Sequence, residues 1–425
     1  MTKMTSAKVP LHPPRPIPAP ALGWALIGKE EEELVLQVLR SKALFRHYGP
    51  DPDKPPKMAA TLESEFRAMV GTRFALAVTS GSGALEVALG ALGVGPGDEV
   101  IVPAWSWVSC FTSVVRVGGK PVLAEIDDTL CLDPKEIARL CTPRTKAVLV
   151  VHYQGVAADM DPIIAEAKRA NIAVLEDCAQ SPGALYKGKR VGSLGDIAIF
   201  SFQHAKSMTS GEGGMVVTSD PRLFERAVRM HDLGQLRPVF AKQLEQKGPE
   251  FSGSQFRMSE LTAAVALAQL RKLDRIRNHC RRLSARIMKK IGRLPGMKFR
   301  HIPDPTGDSG FEIYFWLSTK ELCEVFRAKL AEAKIPCHQM TGTYAQYRRP
   351  YVINGLAHSP AASPFAVAEG WPSKGYRSED FPRTEDLISR FVVIPLGVNY
   401  TEADADYIAA TICRIQSPLK RSATE

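Results

Sequence analysis

Long apolar runs are missing from this sequence. No segment reaches about 18 uninterrupted apolar residues, the length that a membrane-spanning helix requires. Lys3 and Lys8 precede a series of prolines between Pro10 and Pro20, without the apolar stretch of a secretory signal peptide. We therefore expect no membrane partner, a cytoplasmic location, and a poorly ordered, proline-rich leader within residues 1–26.

The cysteines lack the spacing of a recognisable site. The 8 cysteines include no C-x-x-C pair, and none has a histidine nearby at metal-ligand spacing. These absences argue against a zinc site or a disulfide framework that spacing alone would reveal. We expect reduced, mostly buried thiols and no bound metal.

A concentrated patch of one charge sign is missing as well. The formal net charge is +10, but the basic residues are spread along the chain, and the densest cluster (271–290) falls within one helix-like stretch. Such a cluster is typical of a solvated helix face, so no nucleic-acid partner is expected. A positive field is compatible with an anionic cofactor and substrate.

What the sequence does contain is a regular alternation of short apolar strands and helix-like segments. This pattern predicts an α/β fold with a mainly parallel sheet covered on both faces. The predicted strands are Phe74–Val78 and residues 99–102, 121–125, 147–151, 172–175, 197–202 and 215–218. With 425 residues, the chain is long enough for a large domain (27–292) and a smaller C-terminal α/β domain (293–425). Residues 344–383 are either a substrate-facing loop or a connection.

The octapeptide that begins at Lys206 carries the clearest chemical signal. It reads Lys-Ser-Met-Thr-Ser-Gly-Glu-Gly, is followed by Gly214, and lies about thirty residues after the strand-end carboxylate Asp177. A lysine amine can hold a pyridoxal phosphate aldehyde as a Schiff base, and a buried carboxylate can keep the pyridine nitrogen protonated. An ordinary helix cap or ion pair at Asp177 remains open.

A second signal is the glycine and serine turn at Gly81-Ser82-Gly83, between a predicted strand and a predicted helix. Backbone N–H groups at a helix N-terminus can hold a phosphate, although a plain N-cap by Ser80 or Ser82 fits the same residues. Glu86 replaces the third glycine of the dinucleotide fingerprint. Residues 183–190 nearly spell a phosphate loop but end in Arg190, so a surface turn is expected there.

The order and spacing of these pieces carry more weight than any one of them. The glycine turn, the segment around Trp107, the strand end at Asp177, and the run from Ser201 to Gly214 follow one another as in one known family. Over residues 27–412 the sequence resembles the DegT/DnrJ/EryC1/StrS family of pyridoxal-phosphate-dependent aminotransferases, which act on keto sugars and cyclitols. The resemblance implies the aspartate aminotransferase type of fold (fold type I).

The resemblance also implies roles for individual residues. Lys206 is the implied Schiff-base lysine, and Asp177 is the partner of the pyridine nitrogen. The other implied cofactor-binding residues are Gln180 near the phenolic oxygen, Ser201 with Gly81 and Ser82 at the phosphate, and Trp107 stacked on the ring. Because the family's active sites lie at a homodimer interface, a homodimer is implied here. Gln255 stands where the family usually has an asparagine that reaches the partner's cofactor phosphate.

The implied reaction is a two-stage transfer from L-glutamate or L-glutamine, through a pyridoxamine phosphate form, to the ketone or aldehyde of a sugar or cyclitol-like acceptor. Residues 125–134 and 46–57 resemble the subgroup that makes 8-amino-3,8-dideoxy-octulosonate, whereas residues 202–209 resemble glutamine-dependent aminocyclitol enzymes. Arg257, Arg348 and Arg349 are candidates for a substrate carboxylate.

Two alternatives to an aminotransferase remain at this stage. One is a sugar dehydratase of the same fold, although relatives of that kind replace the lysine with histidine. The other is a non-catalytic protein that binds the cofactor and has a regulatory role. We expect His204 to line the lysine turn rather than to act as the base.

Overall fold

The computed structural model describes residues 16–51, 53, 57–245, 247–337, 344–359, 363–367 and 376–419. Within these ranges the chain alternates between strands and helices, as the sequence predicts. No helix in the described ranges is long and apolar enough to cross a membrane.

The strands and helices have the following bounds. The strands are β1 (Phe74–Val78), β2 (Glu99–Pro103), β3 (Lys120–Ala124), β4 (Thr145–Val151), β5 (Ala173–Asp177), β6 (Leu185–Tyr186), β7 (Lys189–Arg190), β8 (Ile197–Ser201), β9 (Gly214–Thr218), β10 (Lys298–Phe299), β11 (Glu312–Trp316) and β12 (Phe391–Pro395). The helices are α1 (Lys29–Ser41), α2 (Met58–Val70), α3 (Gly81–Leu92), α4 (Ser109–Arg116), α5 (Lys135–Leu140), α6 (Met160–Ala170), α7 (Pro221–His231), α8 (Pro238–Ala241), α9 (Glu260–Leu270), α10 (Leu273–Ile291), α11 (Lys320–Glu332), α12 (Pro350–Ile353), α13 (Pro364–Val367), α14 (Pro382–Ser389) and α15 (Glu402–Leu419).

The central sheet has seven strands in the order β1-β9-β8-β5-β4-β2-β3. All seven coincide with predicted strands to within two residues. The pairs from β8 through β5, β4 and β2 to β3 are parallel, whereas β9 runs antiparallel to both β1 and β8. Their near-continuous apolar sequences are buried, as expected of strands covered by helices on both faces.

A three-stranded antiparallel sheet, β10-β11-β12, forms a second and smaller core. Its apolar residues, among them Ile313 and Phe315, pack against α11 and α15 and against the C-terminal half of α10. Helix α10 also supplies Leu273 to the large core, so it passes from one core to the other. The fold is thus the predicted one, while the division at residues 292 and 293 stays a prediction.

The described part of the leader packs against the smaller core, so the expectation of poor order is wrong for residues 16–26. The buried side chain of Ile17 belongs to that core. Asn399 accepts a hydrogen bond from Ala21 N (3.0 Å) and donates one to Ala19 O (2.9 Å). Prolines keep this segment extended, which lets both its apolar and its polar groups find partners. Residues 1–15 lie outside the described ranges.

Two further sequence expectations concern surface features. Residues 183–190 form the hairpin β6-β7, with Lys187 and Gly188 at its turn in left-handed conformations. The predicted surface turn is therefore confirmed. In the basic cluster of α9 and α10, Arg271 pairs with Glu65 and Arg286 with Asp406, as on a solvated face. Lys272 differs, because its amine is buried against Glu31 at 2.7 Å.

Candidate active site

The strand order brings the predicted site residues to one edge of the central sheet. Strand β5 ends at Asp177 and β8 ends at Ser201, while α3 begins three residues after β1 ends at Val78. These three strands point the same way, so their carboxyl ends meet at one edge, where open α/β sheets bind ligands. Between β1 and β8 lies Gly214, which pairs with both Val78 and Ser201.

Gly214 has to be a glycine because the backbone of the α3 turn passes directly over it. A Cβ atom at this position would lie 2.5 Å from Ser80 O and 2.9 Å from Phe200 O. Both neighbours are backbone atoms that cannot rotate away. The glycine-rich sequence after Lys206 therefore serves to bring the α3 turn against the end of β8.

The α3 turn and Ser201 form a small polar cradle. A Cβ atom at Gly81 would lie 2.6 Å from Ser201 Cβ and 2.8 Å from its hydroxyl oxygen. Ser80 caps the helix by accepting a hydrogen bond from Gly83 N at 3.0 Å, and the Ser82 hydroxyl lies 2.7 Å from that of Ser109. Hydroxyl groups and the positive end of a twelve-residue helix therefore converge, as a phosphate group requires.

Asp177 is a buried carboxylate with two local donors. Its Oδ1 accepts a hydrogen bond from Ala179 N (2.9 Å), and its Oδ2 accepts one from the Cys110 thiol (3.2 Å). Burial raises the pKa of Asp177, and these hydrogen bonds together with the Lys206 amine act against that rise. A cation placed beside this carboxylate would favour its ionised form.

Lys206 lies in the turn that follows β8. Its N–H donates to Gln203 O at 2.9 Å, and Ser210 N donates to Phe202 O at 2.9 Å, which closes the turn. Burial lowers the pKa of the Lys206 amine, while the Asp177 carboxylate and Cys110 act to raise it. A lowered pKa increases the fraction of the amine that is neutral, and only a neutral amine can act as a nucleophile or a base.

His152 and Glu176 form hydrogen bonds next to Asp177 at the end of β5. The sequence identifies neither residue. The His152 ring accepts a hydrogen bond from Ala158 N at Nδ1 (3.1 Å), so Nε2 carries the proton and donates to Glu176 Oε2 (2.9 Å). Burial acts to raise the pKa of Glu176, but donors such as His152 and the N–H groups of Gly192 and Gly195 lower it overall.

These two residues and Cys178 are close enough together to hold a metal ion. Both ring nitrogens of His152 already have hydrogen-bond partners, however, and the Glu176 carboxylate accepts backbone N–H groups. His152 and Glu176 therefore form a hydrogen-bonded network beside Asp177, whose backbone O accepts from His152 N at 3.0 Å. Its signal in the sequence is faint, because His152 and Glu176 lie 24 residues apart.

Gln180 and Trp107 differ in burial and in the groups that they contact. Gln180 is buried, and its amide oxygen has no hydrogen-bond partner among the described residues. A bound polar group is the kind of partner that such an amide needs. Trp105 is fully buried against Tyr153, whereas Trp107 is 45% exposed and contacts Tyr344 edge-on. Only Trp107 therefore keeps a face for stacking.

The remaining candidates include Gln255, two arginines and His204. Gln255 is exposed and its backbone forms a bridge with Asp232. Arg257 is paired with Asp232, and Arg348 with Glu385, so these two arginines are already held in ion pairs. His204 is exposed and stacks on Trp24, which agrees with a residue that lines the turn.

These observations fit a pyridoxal phosphate cofactor. The cradle at Gly81 and Ser201 suits its phosphate, and the buried Asp177 suits its pyridine nitrogen. The buried amide oxygen of Gln180 has no hydrogen-bond partner among the described residues, which is consistent with a bound polar group beside it. The Lys206 amine is near enough to Asp177 for each to shift the pKa of the other.

Solved structures with the same architecture are known. The crystal structure of 3-amino-5-hydroxybenzoic acid synthase is 30% identical, with a TM-score of 0.74 over 94% of this chain and 98% of that one. DesV of S. venezuelae, solved in complex with a ketimine intermediate, is also 30% identical in sequence. Its TM-score is 0.71, and the match covers 91% of this chain and 94% of DesV. An aminotransferase from Psychrobacter cryohalolentis is 25% identical, with a TM-score of 0.76 over 93% and 98%.

The sequence itself matches a family over most of its length. Residues 26–413 match the DegT/DnrJ/EryC1/StrS aminotransferase family, which confirms the resemblance that the motifs indicate. This chain therefore belongs to the DegT/DnrJ/EryC1/StrS aminotransferase family and is a pyridoxal-phosphate-dependent aminotransferase.

Proposed function

We propose that this enzyme moves an amino group from L-glutamate or L-glutamine to the ketone or aldehyde of a sugar or cyclitol-like substrate. The observation that carries the proposal is that Lys206 and Asp177 lie near each other at the carboxyl edge of the sheet. Burial lowers the pKa of the amine and raises that of the carboxyl. Groups with shifts of this kind mark sites of proton transfer.

The proposed division of labour follows from the site residues. Bound pyridoxal phosphate supplies an electron sink that stabilises negative charge on the substrate carbon, which no side chain can do. Lys206 would hold the cofactor covalently, and its free Nζ would move the substrate's Cα proton. Such a positioned base contributes about 10²- to 10⁴-fold in rate.

The other site residues bind and orient. Asp177 holds a proton on the ring nitrogen, and Cys110 and the backbone of Ala179 keep its carboxylate in place. Gly81, Ser82 and Ser201 would bind the phosphate, Gln180 would lie near the phenolic oxygen, and Trp107 would stack on the ring. These roles are proposals that rest on the geometry and on the family to which the chain belongs.

The acceptor class rests on the sequence resemblance and on the family. Residues 344–346 pack against the segment before Trp107, with Ser106 N donating to Tyr344 O at 2.9 Å. We propose that this side of the site faces the acceptor. Within the segment 344–383, residues 360–362 and 368–375 lie outside the described ranges.

A homodimer with shared active sites is part of the proposal. Gln255 is exposed, and two exposed apolar residues bond to its neighbourhood: Leu233 N donates to Ser254 O, and Leu44 O accepts from Glu260 N. Tyr48 and Val239 are exposed large apolar side chains as well. Contiguous exposed apolar residues mark protein interfaces. We expect sedimentation equilibrium of the native enzyme to give twice the chain mass, and Leu44→Glu with Tyr48→Glu to give monomers. A wild-type protein that sediments as a monomer contradicts this part of the proposal.

Borohydride reduction of the holoenzyme followed by peptide mapping tests the function. The label is expected on Lys206, and Lys206→Ala is expected to lose both the label and the activity, while the exposed control Lys289→Ala keeps both. Adding L-glutamate or L-glutamine alone should convert the cofactor to pyridoxamine phosphate. Consumption of a sugar by the pyridoxamine-loaded enzyme without net amino transfer would instead establish a dehydratase, and a cofactor that no amino acid converts would establish a non-catalytic protein.

A further inference from the structure

The N-terminal strap, defined here as residues 17–28, connects the smaller core to the lysine turn. At its beginning, Ile17 is buried in the smaller core and Ala21 is held by Asn399. The strap and the loop that contains Gly397 approach each other closely, because a Cβ atom at Gly397 would lie 2.4 Å from Ala21 N. This end of the strap therefore has one position relative to the loop after β12.

The other end of the strap is fixed to α9 and α10. The buried Lys272 amine donates to Leu26 O at 2.7 Å and pairs with Glu31, whose carboxylate also accepts from Gly28 N at 2.8 Å. Gln269 completes this group by donating to the same carboxylate at 2.8 Å. The strap is thus held at both ends by buried contacts.

Between these ends, Gly23 lies against the backbone of the lysine turn, at Lys206 and Ser207. A Cβ atom at Gly23 would lie 2.8 Å from Ser207 O, 3.1 Å from Lys206 O and 2.7 Å from Gln269 Oε1. The next residue, Trp24, stacks on His204 with ring centroids 6.0 Å apart. The strap therefore contacts the turn on both sides of Lys206 in sequence.

We propose that Gly23 is a positioning residue for Lys206, and that the strap sets where the lysine amine stands relative to Asp177. The lysine is carried by a turn rather than by a strand or helix, so its backbone needs support from outside. Because the strap is also bound to Asn399, the position of Lys206 depends on the placement of the smaller domain. This inference rests on the proposed role of Lys206.

The variant Gly23→Ala tests the contact, since the added methyl group has to displace the lysine turn or the strap. Acetylation of the cofactor-free protein with labelled acetic anhydride, read by peptide mapping, measures the reactivity of Lys206 against that of exposed Lys289. We expect the relative reactivity of Lys206 to change about threefold or more as its burial changes. In the holoenzyme, we expect kcat to fall about tenfold to a hundredfold, with the KM of the amino donor within about twofold.

Two matched glycines separate positioning from loss of stability. Gly95→Ala adds a methyl group with no atom within 4 Å, whereas Gly119→Ala brings its Cβ to 2.7 Å from Val94 Cγ1, away from the turn. Both controls are expected to leave Lys206 reactivity unchanged, even where Gly119→Ala lowers the melting temperature. An equal change in Gly119→Ala would overturn the proposal, since a general loss of stability would then suffice.

Asn399→Ala decides the matter if Gly23→Ala does not fold. This variant adds no atoms and removes the two hydrogen bonds that hold the strap to the smaller domain. It is expected to change Lys206 reactivity in the same direction. Unchanged reactivity in every strap variant that folds would refute the inference. A borohydride label on another residue would refute the proposed function, whereas the acetylation results would still report on the strap.

Discussion

At the scale of single residues, Lys206 and Asp177 occupy a position that costs the isolated protein stability. A carboxylate whose pKa is raised by burial is less stable there than in water, and the same holds for a buried amine. Active sites commonly keep such groups because the bound ligand compensates for the loss. We therefore expect the bound cofactor to stabilise this site.

We predict that Asp177→Asn separates activity from stability. The amide keeps the shape but cannot hold a proton on the ring nitrogen, so the rate of Cα proton abstraction should fall about 10²-fold or more. The melting temperature of the cofactor-free variant should equal or exceed that of the wild type, since a buried carboxyl has been removed. Single-turnover kinetics and calorimetry measure the two effects, and a wild-type rate would refute the role of Asp177.

Cys110, like His152 and Glu176, is a residue whose role the sequence does not reveal. Its thiol donates to Asp177 Oδ2 at 3.2 Å across 67 residues of chain, and scattered cysteines gave no reason to single it out. By contrast, the sequence alone indicates Lys206, Asp177 and the glycine turn, because local sequence carries their chemistry. Local patterns reveal which residue types are available, whereas contacts between distant segments require the fold.

We predict that Cys110→Ala slows the half-reaction several-fold, roughly threefold to tenfold, because Asp177 loses one of its donors. Cys110→Ser retains a hydroxyl donor of similar size and should keep most of the rate. The control Cys141→Ala, whose thiol lies away from Asp177, should behave as wild type. If the serine variant is as slow as the alanine variant, packing rather than the hydrogen bond explains the effect.

At the scale of elements, the start of α3 combines a structural and a binding task. Ser80 caps the helix through Gly83 N at 3.0 Å, and this cap fixes the direction of the N–H groups beside Ser201. Both interpretations that the sequence left open, a plain cap and a phosphate cradle, thus describe the same turn. The cap is observed in the structure, and the phosphate contact stays a proposal.

We predict that Ser80→Ala lowers both the stability and the cofactor affinity. Loss of an N-cap costs about 1 kcal/mol. The control Ser259→Ala removes the corresponding cap of α9, where Ser259 accepts from Thr262 N at 3.2 Å, so the unfolding free energy should fall by a similar amount. Equilibrium dialysis with pyridoxal phosphate distinguishes the two, because only Ser80→Ala should bind more weakly. Equal affinities would argue against a cradle at α3.

The elements show where sequence patterns succeed and where they stop. All seven central strands were predicted, because strands covered on both faces are continuous apolar runs. The antiparallel direction of β9 was not predicted, since an apolar run carries no sign of its direction. The sequence does not predict that residues 16–26 are packed, for a related reason. A proline-rich segment has no periodicity, and its packing depends on Asn399 and the smaller core.

At the scale of the whole molecule, the smaller domain brings a buried carboxyl to the large one. Glu312 on β11 accepts a hydrogen bond from Tyr314, whose hydroxyl lies 3.3 Å from that of Tyr153 in the large domain. Burial raises the pKa of Glu312 to about 7, with Tyr314 and Arg300 acting against that rise. The group therefore titrates in the neutral range.

We predict that stability falls with rising pH because of Glu312. Since the folded protein holds this proton more tightly than the unfolded chain, the contribution is complete below pH 4.5 and is lost as the pH passes 7. The unfolding free energy of wild type relative to Glu312→Gln should drop by up to about 3 kcal/mol from pH 5 to pH 8.5. Urea unfolding of both proteins measures the difference, and a difference independent of pH would contradict the prediction.

The strand order has a consequence for how the protein is made. Because β9 lies between β1 and β8, Gly81 and Ser201 meet only after the chain as far as Thr218 has been synthesised and has returned to pair with Phe74. Closure of so long a loop is slow. Because the proposed phosphate cradle forms only then, we expect the enzyme to bind vitamin B6 after translation of its first half.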